Sequence, residues 1–246
     1  MRNVLGELEL ESTAFSGSFF AAGAASAQTW PTKPVSIVVT FSPGGSSDIV
    51  ARLISGPLQA RLGQTVIVDN RPGAGGTIGA AVVARAAPDG YTLLLSNSAP
   101  ISISPFMLTT QTYDPVKSFS RVVYIGSVAN VFVVHPSVTA KTLPELVAWI
   151  KAQPNPVPYG SGGIGSIGHI VGETFKKEHG LKMEHVGYKG SSPMHNELLG
   201  GAIRPAIDTL PQNVPFVRDG KLRALAVTSP ARAAMAADVP SVFELG

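Results

Sequence analysis

Four glycine-rich turns constrain the fold of this chain more than any other feature of its sequence. Each turn follows a strand-like run and precedes a helix-like segment: FSPGGSSD (41–48), NRPGAGG (70–76), YGSGGIGSIGH (159–169) and YKGSSP (188–193). Glycine allows positive φ and close approach of another group. A helix that opens from such a turn points its free N–H groups into the turn. Two turns early in the chain and two late in it therefore predict a two-lobed site for a small anion.

The segments between the early turns alternate between strand and helix patterns. Residues 35–40 (VSIVVT) form a continuous β-branched run, which is typical of a strand covered on both faces. A helix is predicted over 49–58, with Ser46 or Ser47 as its cap, Asp48 in its first turn and Gly63 at its end. Strands at 65–69 and 91–96 flank a helix over 76–87. Single helices between strands predict a parallel sheet of βαβ units.

The run 122–135 (VVYIGSVANVFVVH) divides this series from a second one. It holds two apolar stretches and is too long for one ordinary strand, so we interpret 125–131 as a crossing between lobes, with a return near 228–232. Helices are predicted over 143–152, 164–179 and 192–199, and strands at 157–159, 183–188, 203–210 and 224–228. The predicted lobes are 28–126 with 230–246, and 127–229.

Composition excludes several classes of function. The chain of 246 residues has no cysteine, so a disulfide framework, a thiolate zinc site and a thiol nucleophile are excluded, and its five histidines show no metal-binding spacing. Hydrophobic residues make up 44%, enough for a buried core. The net charge of +3 comes from scattered cations, which favours solvated helix faces over a nucleic-acid surface. No cofactor, metal or nucleic-acid partner is expected.

Residues 1–27 form a degenerate signal-like segment. A small-residue ASA tripeptide at 25–27 precedes Gln28, as at an export cleavage site, but three acidic residues lie between positions 7 and 11. The pattern favours a periplasmic location and leaves a cytoplasmic one open. No run approaches the length needed to span a bilayer.

The glycine turns match known enzyme motifs only in part. Gly160, Gly162 and Gly165 fit GxGxxG, but the preceding strand is short and no acidic residue clearly ends a following strand. The first turn lacks a P-loop lysine, and no serine lies in a GxSxG elbow. An enzyme acting on a phosphorylated or nucleotide substrate would have only His169 and Asp208 as bases. Asp208 lies in an apolar strand, where it accepts hydrogen bonds either from a ligand or from its own lobe.

The motifs together resemble a known family, the Bug receptors, which are the TctC-like extracytoplasmic solute-binding proteins of tripartite tricarboxylate transporters. The resemblance runs from Trp30 to Gly246 and rests on WPTKPVSIVV, FSPGGSSDIVAR, GQTVIVDNRPGAGGTIGA, PDGYTLLL, YGSGGIGSIGH, YKGSSP, LRALAVTSPAR and DVPSVFELG. It implies an α/β, two-lobed periplasmic-binding-protein fold (Venus-flytrap, type II-like). Such a receptor is a non-enzymatic monomer that closes on a small carboxylate and delivers it to the membrane components of the transporter. A ligand-sensing partner of a membrane kinase would have the same sequence features.

The resemblance also implies a set of ligand-binding residues. In the first lobe these are Ser42, Gly44, Gly45, Ser46, Asp48 and Asn97, and in the second they are Ser161, Gly162, Ser166, His169, Lys189, Gly190 and Asp208. Three features depart from the family pattern. Arg204 and Pro205 precede the Asp208 strand, His195 and Asn196 follow YKGSSP, and the family has a further C-terminal segment that packs on the first lobe. The bound carboxylate itself is not specified, because backbone N–H groups accept any carboxylate.

Overall fold

The computed structural model describes residues 29–109 and 112–245. The signal-like segment predicted at 1–27 lies outside the described residues. From Pro31 onward the chain packs as one unit.

Strands and helices alternate along the described residues. The strands are β1 (Val35–Val39), β2 (Val66–Asn70), β3 (Thr92–Leu95), β4 (Asn130–Val134), β5 (Val157–Ser161), β6 (Met183–Gly187), β7 (Pro205–Thr209) and β8 (Arg223–Val227). The α-helices are α1 (Ser46–Leu62), α2 (Thr77–Ala84), α3 (Ser104–Met107), α4 (Leu143–Lys151), α5 (Ile167–His179), α6 (Ser191–Leu199) and α7 (Leu210–Arg218). A π-helical turn (Ala99–Ile103) precedes α3, and 3-10 turns occur at Ala74–Gly76, Ala234–Ala236 and Val242–Glu244. The strands and helices predicted from the sequence are present with shifted ends, whereas β4, α3 and α7 were not predicted. The crossing predicted at 125–131 overlaps β4 at residues 130 and 131.

The strands form two sheets, which define two lobes. The first lobe has a three-stranded sheet of order β2-β1-β3 with α1–α3, and the second has a five-stranded sheet of order β6-β5-β7-β4-β8 with α4–α7. Both strand pairs of the first sheet are parallel, as βαβ units predict. The four glycine turns follow the carboxyl ends of β1, β2, β5 and β6, and each leads into a helix, so they lie at these edges of the two sheets.

The second sheet corrects the expectation of purely parallel strands. Its strand β4 is antiparallel to both β7 and β8, whereas β5 is parallel to β6 and β7. The chain reaches β4 through an extended segment without helix or strand, residues 119–129, and not through a crossover helix. A strand that enters without a βαβ crossover is free to run in the opposite direction.

Each sheet is covered by an apolar core. In the first lobe, Ile37 and Val39 of β1 pack with Ala51 of α1. In the second lobe β4 is buried on both faces, because Phe132 packs in one cluster and Val133 in another. The two clusters lie on opposite faces of the sheet, as the period of two along a strand requires.

The first helix differs in two details from its predicted form. Its N-cap is Gly45, with φ −73° and ψ 162°, and neither Ser46 nor Ser47 caps it, because both already lie within the helix. Five apolar residues at helical spacing predict this helix, and of these Val50, Ile54 and Leu58 pack on the core, whereas Ile49 and Leu53 are exposed. Gly63 ends the helix in the left-handed conformation, as predicted.

The C-terminal residues differ from the predicted lobe assignment. Residues 230–246 were assigned to the first lobe, but Val239 packs in a core cluster of the second lobe and Ser241 forms a parallel bridge with Val227. The N–H of Val227 also donates to Pro240 O at 2.9 Å. The described chain therefore makes no return crossing near 228–232. The exact bounds of the two lobes, 28–126 and 127–229, remain a prediction.

Candidate functional site

The first glycine turn joins β1 to α1 and is braced by a buried carboxylate. Asp48 is 2% exposed, and its Oδ2 accepts from the N–H of Gly44 at 2.9 Å and from Arg52 Nε at 2.9 Å. Burial by itself raises the pKa of Asp48, but hydrogen bonds from Arg52 and the Gly44 N–H outweigh it, so the pKa is lowered. Asp48 is therefore ionised and braces the turn, with its charge paired inside its own lobe.

The third glycine turn joins β5 to α5 through a chain of hydroxyl groups. Ser166 Oγ caps α5 by accepting from His169 N at 3.2 Å, and it donates to Ser161 Oγ at 3.2 Å. Ser161 Oγ lies 2.7 Å from His185 Nε2. His169 Nδ1 accepts from the N–H of Gly165 at 3.2 Å, which places the ring under the turn. His169 thus holds the turn from within the lobe.

Two histidine rings stack behind the third turn. The rings of His169 and His185 have centroids 4.0 Å apart and are inclined by 30°. Burial lowers the pKa of His185 to about 4, with a smaller contribution from His169. Burial also lowers the pKa of His169, while Glu173 raises it. Both rings are neutral at pH 7. Ser161 Oγ already accepts from Ser166 Oγ and from the N–H of Gly163, so its one proton is donated to His185 Nε2 at 2.7 Å, which is nearer than Gly163 O at 3.3 Å.

The fourth turn joins β6 to α6 and rests on a buried polar network. Asp208 is 4% exposed; its Oδ1 accepts from Ser191 Oγ at 2.7 Å, and its Oδ2 accepts from Asn213 Nδ2 at 3.1 Å. His195 Nε2 lies 3.3 Å from the same Oδ2. All of these partners of the Asp208 carboxylate belong to the second lobe, which agrees with the interpretation of Asp208 as an acceptor within its own lobe. One of them is His195, which departs from the family pattern.

The first and fourth turns meet across the two lobes. The N–H of Ser42 donates to Lys189 O at 3.3 Å, and the Ser42 hydroxyl donates to the same carbonyl. Ser192 Oγ donates to Pro43 O at 2.7 Å. A Cβ added at Gly190 would lie 3.1 Å from the Ser42 nitrogen. Glycine is therefore required at position 190 both by this approach and by its φ of 125°.

The second and third turns form another contact between the lobes. A Cβ at Gly75 would lie 2.3 Å from Ile164 O, and one at Gly165 would lie 2.4 Å from Ser104 Oγ. The four turns thus meet in two pairs, each with one turn from each lobe. Gly162 of the third turn lies next to Gly190 of the fourth turn and so connects the two pairs: a Cβ added at Gly162 would lie 3.9 Å from the Cα of Gly190.

Three helix N-termini face this region. Helices α1, α5 and α6 have 17, 13 and 9 residues and begin at the first, third and fourth turns. The N-caps of α1 and α6 are glycines without a side-chain hydrogen bond. Ser46 is the first residue of α1. Each terminus carries partial positive charge and N–H groups without helical partners.

Two of the predicted residues contribute less directly. Asn97 is exposed, and its Oδ1 accepts from Ala99 N at 2.9 Å, so it supports the π-helical turn. The side chain of Lys189 is exposed, and it is the carbonyl of this residue that meets the first lobe.

Sequence reasoning missed Gln212, Ser192 and Ser104, which lie at the lobe contacts. Gln212 Nε2 donates to Gly44 O at 3.0 Å. It belongs to α7, which was not recognised because Pro211 and Pro215 interrupt the helical pattern. The proline at the first turn of a helix was the signal that could have revealed it.

A separate groove of about 460 Å³ runs along α2, lined by Ile78, Val82, Arg85 and Leu108 among others. None of the predicted binding residues lines it. Within the described parts of the chain, no group of three acidic or histidine side chains could hold a metal ion. No helix in those parts is both long enough and apolar enough to cross a membrane.

Two α/β lobes whose glycine turns and helix N-termini meet at the contact between the lobes define a class of protein, the two-lobed solute-binding proteins. The family model for the tripartite tricarboxylate transporter family receptor, TctC, matches residues 50–246. The chain belongs to this family of solute-binding receptors.

Individual relatives agree with this membership. Over 222 residues the chain is 39% identical to BugT of Bordetella pertussis, covering 90% of this chain and 68% of BugT. It superposes with a TM-score of 0.85 on an R. palustris protein with adipate, 35% identical, covering 88% of this chain and 73% of that one. It also superposes with a TM-score of 0.82 on MatC from Rhodopseudomonas palustris with bound malate, 28% identical, covering 88% of this chain and 74% of MatC.

Proposed function

We propose that the chain is a periplasmic receptor that captures a small organic carboxylate between its lobes and delivers it to the membrane components of a tripartite tricarboxylate transporter. The observation that carries the proposal is the convergence of three helix N-termini, from both lobes, at the paired glycine turns. Partial positive charge and unpaired N–H groups favour an anion there.

The charges around the turns support a ligand held by backbone groups. Asp48 is paired with Arg52 inside the first lobe, and Asp208 is enclosed by donors of the second. The two histidines of the third turn are neutral at pH 7. With these side chains neutral or compensated, the N–H groups and hydroxyls of the turns supply the attraction. Closure of the lobes then strengthens these bonds by excluding water.

The proposed ligand contacts divide into two groups. Those proposed to touch the carboxylate are turn residues that carry a backbone N–H group or a hydroxyl at the contact between the lobes: Ser42, Gly44, Gly45, Ser46, Ser161, Gly162, Ser166 and Gly190. Asp48, His169 and Asp208 hold the turns in place, with Asn97 and Lys189 at the margin. Adipate and malate, the ligands named for two relatives, are both dicarboxylates. We therefore place this chain's ligand among small dicarboxylates.

A thermal-shift screen tests the ligand class. The panel contains di- and tricarboxylates, acidic amino acids, aromatic acids and nucleotides. We expect at least one carboxylate to raise the melting temperature by several degrees, because a ligand that binds only the folded state stabilises it. Nucleotides serve as the control and should leave it unchanged. A shift with nucleotides alone would overturn the proposal in favour of an enzyme.

Location and partner are part of the same proposal. Export is expected to remove residues 1–27 and leave a mature, monomeric protein that begins at Gln28. Determination of the N-terminus of protein from the periplasmic fraction checks this. Recovery of intact chain from the cytoplasm alone would contradict it.

A further inference from the structure

Gln212 connects the two lobes through a side chain that lies outside the proposed ligand contacts. It is 8% exposed and lies in the first turn of α7, directly after β7. Its Nε2 donates to Gly44 O of the first lobe at 3.0 Å, while its Oε1 accepts from Thr209 and from Ser191 Oγ (3.0 Å) in its own lobe. The amide thus bridges a second-lobe network and the first glycine turn.

The second-lobe side of this bridge is coupled to the buried Asp208 network. Ser191 has one hydroxyl proton, and its two acceptors are Asp208 Oδ1 at 2.7 Å and Gln212 Oε1 at 3.0 Å. The shorter, charge-assisted bond goes to the carboxylate. Gln212 is then oriented mainly by the Thr209 hydroxyl, which leaves Nε2 directed at the first lobe. The orientation of the amide therefore follows from partners within its own lobe.

The bond to Gly44 exists only when the lobes are together. Gly44 precedes Gly45, the N-cap of α1, and the N–H of Gly45 donates to Ser42 O at 3.2 Å. The carbonyl of Gly44 and the N–H of Gly45 belong to the same peptide group. The hydrogen bond from Gln212 to Gly44 O therefore fixes the orientation of that peptide group in the first glycine turn. The other bonds in this pair of turns use Ser42, a proposed ligand contact, and Ser192, which is partly exposed. Gln212 is the buried member that can be changed without altering a proposed ligand contact.

We propose that Gln212 is a positioning residue that sets the balance between open and closed receptor and presents the Gly44–Gly45 turn to the ligand. The inference rests on the proposed function for its effect on affinity, but its effect on closure is independent of any ligand. The apparent affinity for the ligand is proportional to the fraction of ligand-free molecules in the closed form, so it falls when a substitution lowers that fraction. Loss of one buried hydrogen bond should weaken binding about three- to tenfold.

The test uses the absence of native cysteine. Spin labels on Arg61→Cys and Lys177→Cys, both at exposed positions in different lobes, report the distance between lobes by pulsed electron paramagnetic resonance. Gln212→Glu keeps the acceptor for Thr209 but places an oxygen against Gly44 O. Gln212→Ala removes the amide group altogether, and it replaces Gln212→Glu in the measurement if the charged variant does not fold. Gln153→Ala is the matched control, because Gln153 Nε2 donates to Trp149 O at 3.0 Å within one lobe.

We expect the Gln212 variants to shift the ligand-free distances toward the open form and to weaken binding of malate about three- to tenfold, with no change for Gln153→Ala. Unchanged distances in a folded Gln212 variant would overturn the proposal, as would an equal shift in the Gln153 control. Weaker malate binding without a shift in distance would overturn it as well. If malate does not bind, the ligand-free distances decide the role of Gln212, and only the proposed ligand class fails.

Discussion

Gly44→Ala should weaken carboxylate binding through the contact between the lobes, in addition to the backbone strain that it introduces. Gly44 has φ +79°, and a Cβ added there would lie 3.0 Å from Ser192 Oγ of the other lobe. An L-residue in the left-handed region costs about 1–2 kcal/mol. The new methyl group also displaces the Ser192 hydroxyl from its 2.7 Å bond to Pro43 O, which is one of the bonds that close the lobes. Loss of that bond and of close approach at the turn should weaken carboxylate binding by about 1–2 kcal/mol, or five- to thirtyfold.

Gly63→Ala is the matched control. Gly63 has φ +65° at the end of α1, and an added Cβ would have no heavy atom within 4 Å. Both variants should therefore lose a similar free energy of unfolding in urea, about 1–2 kcal/mol. Only Gly44→Ala should lose affinity in calorimetric titration with the carboxylate that the thermal-shift screen identifies. Equal affinities for the two variants would refute the placement of the site at the first turn.

Two further predictions concern stability. His185 has a pKa of about 4 in the folded protein, against 6.5 for the ordinary group. Between these two pH values the unfolded chain binds more protons than the folded protein. The free energy of unfolding therefore falls as the pH drops from 6.5 toward 4. His185→Gln should remove about 1–2 kcal/mol of that fall between pH 7 and 4.5, allowing for partial exposure, as measured by urea unfolding; an unchanged pH dependence would contradict it. Gly172→Ala should lower the free energy of unfolding by more than about 2 kcal/mol, because its Cβ would lie 2.3 Å from the buried ring of Tyr159. A melting temperature equal to that of the wild type would show that the α5–β5 contact is looser than described.

Local signals account for what the sequence predicted correctly. The β-branched run before FSPGGSSD and the periodic residues after it are sufficient to place β1 and α1, because strand and helix periods are read within a few residues. Gly63 as the end of α1 follows from the conformational freedom of glycine alone. The turns between such elements could be recognised for the same reason.

The errors came from contacts between distant residues. The direction of β4 depends on a connection that reaches it without a helix, and no residue in the strand itself encodes that direction. The assignment of residues 230–246 to the first lobe was wrong because Val239 packs in the core of the second lobe. Which lobe buries this side chain depends on the folded surface and not on a local sequence pattern. Gln212 and its partner Gly44 are separated by 168 positions. No local pattern identifies such a pair.

The cap of α1 shows a subtler limit. Ser46 and Ser47 are favourable cap residues by type, but the N-cap is Gly45 and the helix begins at Ser46. Asp48 Oδ2 reaches back to the N–H of Gly44 and braces the turn that precedes the helix. The prediction of Ser46 or Ser47 as the cap was therefore wrong, whereas Asp48 lies in the first turn as predicted.

Amide resonances in two-dimensional NMR test the central claim most directly, because the claim is that backbone N–H groups of both lobes hold a carboxylate. The protein is titrated with the carboxylate that gives the largest thermal shift. We predict the largest downfield shifts at Gly44, Gly45, Gly162 and Gly190, together on both lobes and saturating at one ligand per chain. Shifts confined to one lobe, or to Ile78 and Val82 along the α2 groove, would contradict the account.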